Sequence, residues 1–198
     1  MPTKLTAPIF RRRLHPSLCE MLLAEKGSAV TFGDWDGLYL AASSISGVGL
    51  FMGHDVMEGG RILTVVGELV RFTYRTDGRE ADPNYPNAIG IAKETWLDPA
   101  LDNPMNFINH CCEPNVIVGE DLRLTALTAI QAHTELLLDY STTELDLGWS
   151  LACACAADTC RRDLRAFQFL PKELQAKNAK RMSQRMLADL LEMTRGVK

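Results

Sequence analysis

The chain has 198 residues, 46% hydrophobic and 23% charged, enough for one globular domain with a real core and small appendages. No run approaches the ~18 apolar residues of a membrane span, and no apolar run follows the basic triplet of MPTKLTAPIFRRRLHP, so neither a membrane partner nor a secretory signal is expected. The net charge of −4 divides into an acidic body, 11 Lys+Arg against 21 Asp+Glu over residues 1–160, and a basic tail, 10 against 4 over residues 161–198; nucleic acid is not expected on such a body, whereas a basic peptide or plain solubility accounts for it equally well.

Arg11, Arg12 and Arg13 read as a solvated basic turn, with a localisation patch as the alternative. PSLCEMLLAEKGS (16–28) predicts a short helix: Pro opens it, Leu18, Met21 and Leu22 share a face, and Gly27 stops it. From about residue 37, short apolar runs are punctuated by Gly, Pro, Asn and Asp: GLYLAAS, RILTVVGELV, NAIGI, NVIV, LRLTAL and TELLLDY. Their lengths and breakers suit β-strands. RTDGREADPNYPN (75–87) is polar and reads as a loop, and NVIVGEDLRLTAL (115–127) predicts a hairpin turning at Gly119–Asp121. After Pro171, Leu174, Met182, Met186, Leu187, Leu190 and Leu191 fall largely on one face of a terminal amphipathic helix, which reads as a docking face. Composition and periodicity alone support a β-rich domain with helical ends.

Six cysteines in a chain without a signal favour reduced thiols or metal ligands over disulfides, and with them an intracellular home, nuclear or cytoplasmic. CACAADTC places Cys153, Cys155 and Cys160 in a C-x-C-x4-C pattern. Three thiolates on a short irregular loop can converge on one tetrahedral zinc, but a closed structural site takes four ligands. The other cysteines among turn-forming residues are in NHCCEPN, which makes Cys112 the candidate fourth; the bland alternative is a set of small buried thiols. Cys111 and Cys19 are expected to be ordinary buried residues.

Taken in order, SISGVGLFMGHDVMEGGRI (44–62), GEL (67–69), DNPMNFINHCCEPN (102–115), ELLLDYS (135–141) and CACAADTC resemble the SET-domain family of protein lysine methyltransferases, over about residues 37–162. The resemblance implies a mainly β (α+β) fold. It would be a SET-domain, β-clip-like set of short sheets with a knot-like threading near the N-H motif, flanked by a short N-terminal helix and a C-terminal amphipathic helix. It divides the chain into a helical lead-in (1–36), the SET domain (37–142), a post-SET zinc-binding segment (143–165) and a basic amphipathic helix (166–198). Dimerisation, docking on the core and contact with a nucleosome are all compatible with that last helix. The implied activity is methyl transfer from S-adenosyl-L-methionine to a lysine ε-amine, with structural zinc. The implied partner is a protein or peptide carrying the target lysine, by default a histone tail. A non-catalytic SET module that binds a peptide or scaffolds a complex is the alternative, and a zinc-stabilised interaction module without a cofactor stands behind it.

The residue roles follow from the same resemblance. Gly47, Val48 and Gly49 would bring backbone close to the cofactor, although a tight turn before a strand explains the glycines equally well. Asn109 and His110 would hold the cofactor, with metal ligation as the rival role for His110. Phe107 would pack beside the adenine or in the nearby core. Tyr140 matches the active-site tyrosine that touches cofactor and amine. Cys112, Cys153, Cys155 and Cys160 would bind zinc, and Trp149 would wall the lysine channel or sit in the core. Three positions depart from the family pattern. Asn106 stands where Arg is usual, so an ion pair or backbone clamp is expected to be missing. Val65 and Val66 occupy the neighbourhood of a second tyrosine. Leu138 replaces the Phe or Tyr that limits how many methyl groups fit.

Overall fold

Short apolar runs broken by Gly, Pro and Asn become short strands, and no strand among the described residues exceeds five residues. The computed structural model describes residues 3–4, 30–31, 35, 37–71, 87–100, 103–179 and 188. The predicted helix at 16–28, the basic triplet, nearly all of the 75–87 loop and the terminal helix beyond residue 179, apart from Ala188, lie outside the described residues.

In chain order, β1 (Thr3–Lys4), β2 (Val30–Thr31), β3 (Leu38–Ala42) and β4 (Val48–Met52) form one sheet in that order. β5 (Arg61–Thr64) leaves for a second sheet. β6 (Gly67–Arg71), β7 (Ile89–Ala92) and β8 (Thr95–Pro99) form a third sheet in the order β6-β8-β7. β9 (Asn109–His110), β10 (Val116–Val118), β11 (Arg123–Ala126) and β12 (Leu137–Leu138) complete the second sheet, ordered β5-β11-β10-β12-β9. β13 (Ser150–Ala152) and β14 (Asp163–Arg165) make a two-stranded ribbon, and α1 (Lys172–Ala179) starts directly after Pro171. Mainly β architecture in several small sheets, with a helix after Pro171, is what the sequence predicts. The hairpin is also present: β10 and β11 pair antiparallel, and Gly119 N–H donates to Arg123 O across the turn. No helix among the described residues is long and apolar enough to cross a membrane.

The main core is built from residues such as Leu40, Leu50, Val116, Leu124 and Leu138 on the strands and Leu136 just before β12. All are almost fully buried, each contributing about 1.5–3 kcal/mol by burial. Val65, one of the two valines at a departure from the family pattern, is a core residue here, whereas Val66 is exposed. A second, smaller cluster gathers Cys111, Cys112, Cys155, Trp149 and Leu164, and Tyr140 packs against both clusters.

The run TELLLDY is predicted as one strand, but only Leu137 and Leu138 form one. Residues 134–136 bond to the first sheet instead: Met52 N–H donates to Thr134 O at 3.0 Å and Leu136 N–H to Leu50 O at 2.7 Å. The next two residues then pair in parallel with Asn109 and His110 of β9, and Leu138 also with Val116 of β10. The segment therefore crosses from one sheet to the other. Its backbone needs are met in both, so neither ladder is long. At the crossing, the G-x-G turn, the N-H motif and Tyr140 come within reach of one another.

Candidate active site and thiol cluster

Gly47 has φ +49°, a left-handed conformation that glycine adopts without the cost a Cβ would bring. Ser43 N–H donates to Gly47 O at 2.9 Å, and the Ser43 hydroxyl accepts from Ile45 N–H, so the turn before β4 is closed locally. Gly49 has a different reason for lacking a side chain: a Cβ there would run into the Glu135 carboxylate. That carboxylate accepts from the Ser43 hydroxyl at 3.0 Å and from Asn109 Nδ2 at 2.9 Å. Asn109 Nδ2 also points at Ser46 O (3.1 Å) and Val48 O (3.2 Å). The amide thus ties the G-x-G turn to the N-H motif, with Glu135 as the bolt between them. Gly49→Ala is expected to displace Glu135 and lower stability by about 1–3 kcal/mol, read as a fall in the thermal or urea midpoint. An unchanged midpoint would show that Glu135 is not held there.

Tyr140 sits on a short 3-10 turn, Tyr140–Thr143, capped by Asp139, whose side chain accepts from Ser141 N–H. The phenol donates to Ile108 O at 2.6 Å, which fixes its direction and leaves oxygen lone pairs to accept. Burial, reinforced by the Glu135 charge, raises its pKa above the ordinary phenol value, so it stays protonated at neutral pH. The ring meets His110 edge-on at 5.3 Å.

Tyr140 opens on a cavity of about 100 Å³. Ile108, Leu138 and Trp149 supply apolar wall, and Asn87 and Asn106 supply polar atoms. Trp149 lines this cavity and also sits in the smaller hydrophobic cluster. Phe107 packs against the main core. The missing clamp expected at Asn106 is a correction: its Nδ2 donates to Ala100 O (2.8 Å) and Asn103 O (3.0 Å), so a short amide holds the backbone directly. One wall residue has no counterpart in the sequence reading. Glu144 is buried, and its Oε1 accepts from Leu145 N–H at 2.8 Å and Asp146 N–H at 2.7 Å.

The β13–β14 ribbon turns the cysteine run back on itself, with Cys153 N–H donating to Arg162 O at 2.8 Å. Cys153 Sγ lies 3.9 Å from Cys112 Sγ and 3.6 Å from Cys160 Sγ. Donor atoms of His110, Cys112, Cys153 and Cys155 all lie within 4.8 Å of one another, a spacing that can hold a metal ion. His110 Nε2 is 3.4 Å from Cys112 Sγ, while its Nδ1 faces Tyr140 N–H at 3.2 Å. A ring that accepts at Nδ1 carries its proton on Nε2 and donates to the sulfur. The group with this spacing thus holds three of the four cysteines expected to bind zinc, with His110 in place of Cys160, and the fourth ligand is a choice between those two.

Burial pushes Cys112 up to about 11 and Cys153 to about 12. Burial acts in the same direction on Cys155, but backbone N–H groups at Cys112 and Ala157 bring it down to about 6. One sulfur can ionise unaided; several together need a cation, which is the demand a metal meets.

Two residues that the sequence reading passed over lock this cluster to the tyrosine. The Arg161 guanidinium grips Asp139 through both oxygens, at 2.9 and 2.6 Å, and Arg161 N–H donates to Cys112 Sγ. The Thr159 hydroxyl donates to Glu113 at 2.8 Å, a second tie between the cysteine loop and the N-H turn. Asp139 lay in plain view inside D-Y and Arg161 directly after Cys160, but only the folded loop makes them partners.

The SET-domain family profile matches residues 47–141. Among curated proteins, the chain is 30% identical over 142 residues to the histone-lysine N-methyltransferase trr of Drosophila melanogaster, covering 65% of this chain and 6% of that protein. It is 32% identical over 149 residues to the histone-lysine N-methyltransferase trithorax of the same fly, covering 68% of this chain and 4% of that protein. Over 139 residues it is 32% identical to the putative histone-lysine N-methyltransferase 1 of Plasmodium falciparum, covering 62% of this chain and 2% of that protein. The chain thus spans only a few per cent of the length of these relatives. Among solved structures it resembles KRYPTONITE in complex with mCHH DNA, H3(1–15) peptide and SAH, with 25% identity and a TM-score of 0.47, covering 64% of this chain and 29% of that one.

Proposed function

Because this chain belongs to the SET-domain family, we propose that it is a protein-lysine N-methyltransferase that uses S-adenosyl-L-methionine. The observation that carries this reading is Tyr140, with its hydroxyl direction fixed by Ile108 O, opening on a cavity of about 100 Å³ walled in part by Ile108, Leu138 and Trp149. The histone-lysine methyltransferase relatives support it.

Free lysine has a pKa of ~10.4, so the nucleophile arrives protonated. Passage into a narrow apolar channel favours the neutral amine, and the tyrosine oxygen accepts from it and orients the lone pair. The work of the protein is alignment and exclusion of water. The donor's sulfonium supplies the methyl group. A cationic donor suits a site in which the Glu135 carboxylate lies close enough to Tyr140 to raise its pKa. In our reading Gly47, Val48, Gly49, Asn109, His110 and Phe107 hold the donor, and Cys112, Cys153, Cys155 and Cys160 hold zinc as a structural ion. The thiol donor set fits that metal, and the zinc segment orders one wall of the channel through Trp149, Arg161 and Asp139. A histone tail is the substrate we favour, which places the action in the nucleus; another basic protein would allow the cytoplasm.

The test is transfer of labelled methyl from S-adenosylmethionine to a histone mixture and a proteome extract, with site mapping by mass spectrometry. Label on lysine supports the reading. Zinc-loaded, donor-binding protein that labels nothing leaves the non-catalytic peptide-binding module. Leu138 cannot supply the hydroxyl with which a Tyr would hold water beside the amine, so di- or trimethyl-lysine is expected among the products. Strictly monomethyl product would refute that role for Leu138.

A further inference from the structure

We propose that Glu144 is the counter-charge of the Tyr140 cavity, receiving a primary alkylammonium group and so making the cavity prefer lysine to a neutral side chain of the same length. The inference deepens the methyltransferase reading and rests on it for the identity of the guest.

The placement comes first. Glu144 lines the same cavity as Tyr140, among apolar neighbours that suit an alkyl stem. Its carboxyl is held by two backbone N–H groups, from Leu145 and Asp146, so its position does not depend on the guest. Among the described residues no lysine or arginine lines the cavity. The ionisable groups that face it are Asp146, on its own turn, and Tyr140 in the same cavity. Trp96 of β8, whose side chain hydrogen-bonds the carboxyl, and Phe167, whose N–H donates to Glu144 O, carry no charge.

Burial, and after it the neighbouring Asp146 charge, working against two backbone hydrogen bonds and one from the Trp96 side chain, raises the Glu144 carboxyl to about 7. A buried acid without a cation is costly to ionise, and the ammonium removes that cost. The pair also resolves a difficulty of the reaction. An ammonium that arrives against a carboxylate has a base to take its proton: R–NH3+ with COO− becomes R–NH2 with COOH, and no further reactant is needed.

The probes are n-butylammonium and n-butanol, with binding followed by NMR on protein carrying 13C-labelled glutamate carboxyls. The wild-type chain should bind butylammonium at least ten times more tightly than butanol, with the Glu144 carboxyl signal moving on addition. Binding should strengthen as pH rises from 5 to 8, because the carboxyl ionises over that range while the amine stays charged. Glu144→Gln should abolish the preference and flatten the pH dependence, and Glu144→Asp should restore part of both. Each variant's thermal midpoint shows whether it folds. Equal binding in wild type and Glu144→Gln, or none in wild type, overturns the proposal. Its failure is separable from that of the methyltransferase reading, which is decided by label transfer with the wild-type chain alone.

Discussion

Tyr140→Phe should lower the rate of methyl transfer by about 10²–10³-fold while changing donor affinity no more than a few-fold. The substitution keeps the ring that packs against both hydrophobic clusters and removes one hydroxyl. That hydroxyl is the polar atom aimed by Ile108 O beside the cavity, so its loss removes the acceptor that orients the amine. Losing the Ile108 bond should also cost about 0.5–1.5 kcal/mol of stability, too little to unfold a domain. Single-turnover kinetics at saturating donor isolate the chemical step, and calorimetry reports donor binding. A variant as fast as wild type would remove Tyr140 from the reaction.

The second large effect concerns the thiol cluster. Chelation of the metal-loaded protein should abolish transfer and loosen the loop between β13 and β14. Structural zinc in small peptide sites is worth about 10–16 kcal/mol, far more than the Arg161–Asp139 pair can supply in its place. Elemental analysis would count the ion, and proteolysis would report the opened loop. Acidification should act like the chelator, because protonation competes with the metal for sulfur and weakens the site as pH falls. Cys160→Ser separates the two candidate ligand sets. It should release zinc if four sulfurs bind the ion, and retain it if His110 is the fourth ligand. Full activity in metal-free protein would detach the cluster from catalysis altogether.

What the sequence made legible was local. LYLAA is a strand because β-formers lie between breakers, and it appears within a residue of the bounds expected from GLYLAAS. The gathering of Cys112, Cys153 and Cys160 followed from counting ligands, since three thiols on one loop leave a tetrahedral ion short. What stayed hidden depends on distant segments meeting. β8 was missed because TWLDP, with its Asp and Pro, carries too weak a pattern to stand alone; in the fold it is the central strand of its sheet, with Trp96 almost wholly buried. Gly49 looked like a glycine kept for a cofactor, yet its empty side is filled by a carboxylate 86 positions further along the chain. Asn106 looked like a loss because the comparison was with arginine's charge, whereas its amide reaches the two carbonyls of Ala100 and Asn103. Glu144 gave no signal at all, since a glutamate after three hydroxyl residues reads as surface.

The crossing of residues 134–140 between two sheets has a consequence for how such a chain can change over generations. Glu135 fastens the turn of one sheet, Leu138 and Tyr140 line the cavity, and Asp139 grips the cysteine loop, all within six consecutive positions. Gaining or losing a single residue here would shift the side chains that follow it away from their partners. Length variation should therefore be absent from this stretch in any working descendant, while the solvent-facing bend at Gly119–Asp121 can lengthen freely.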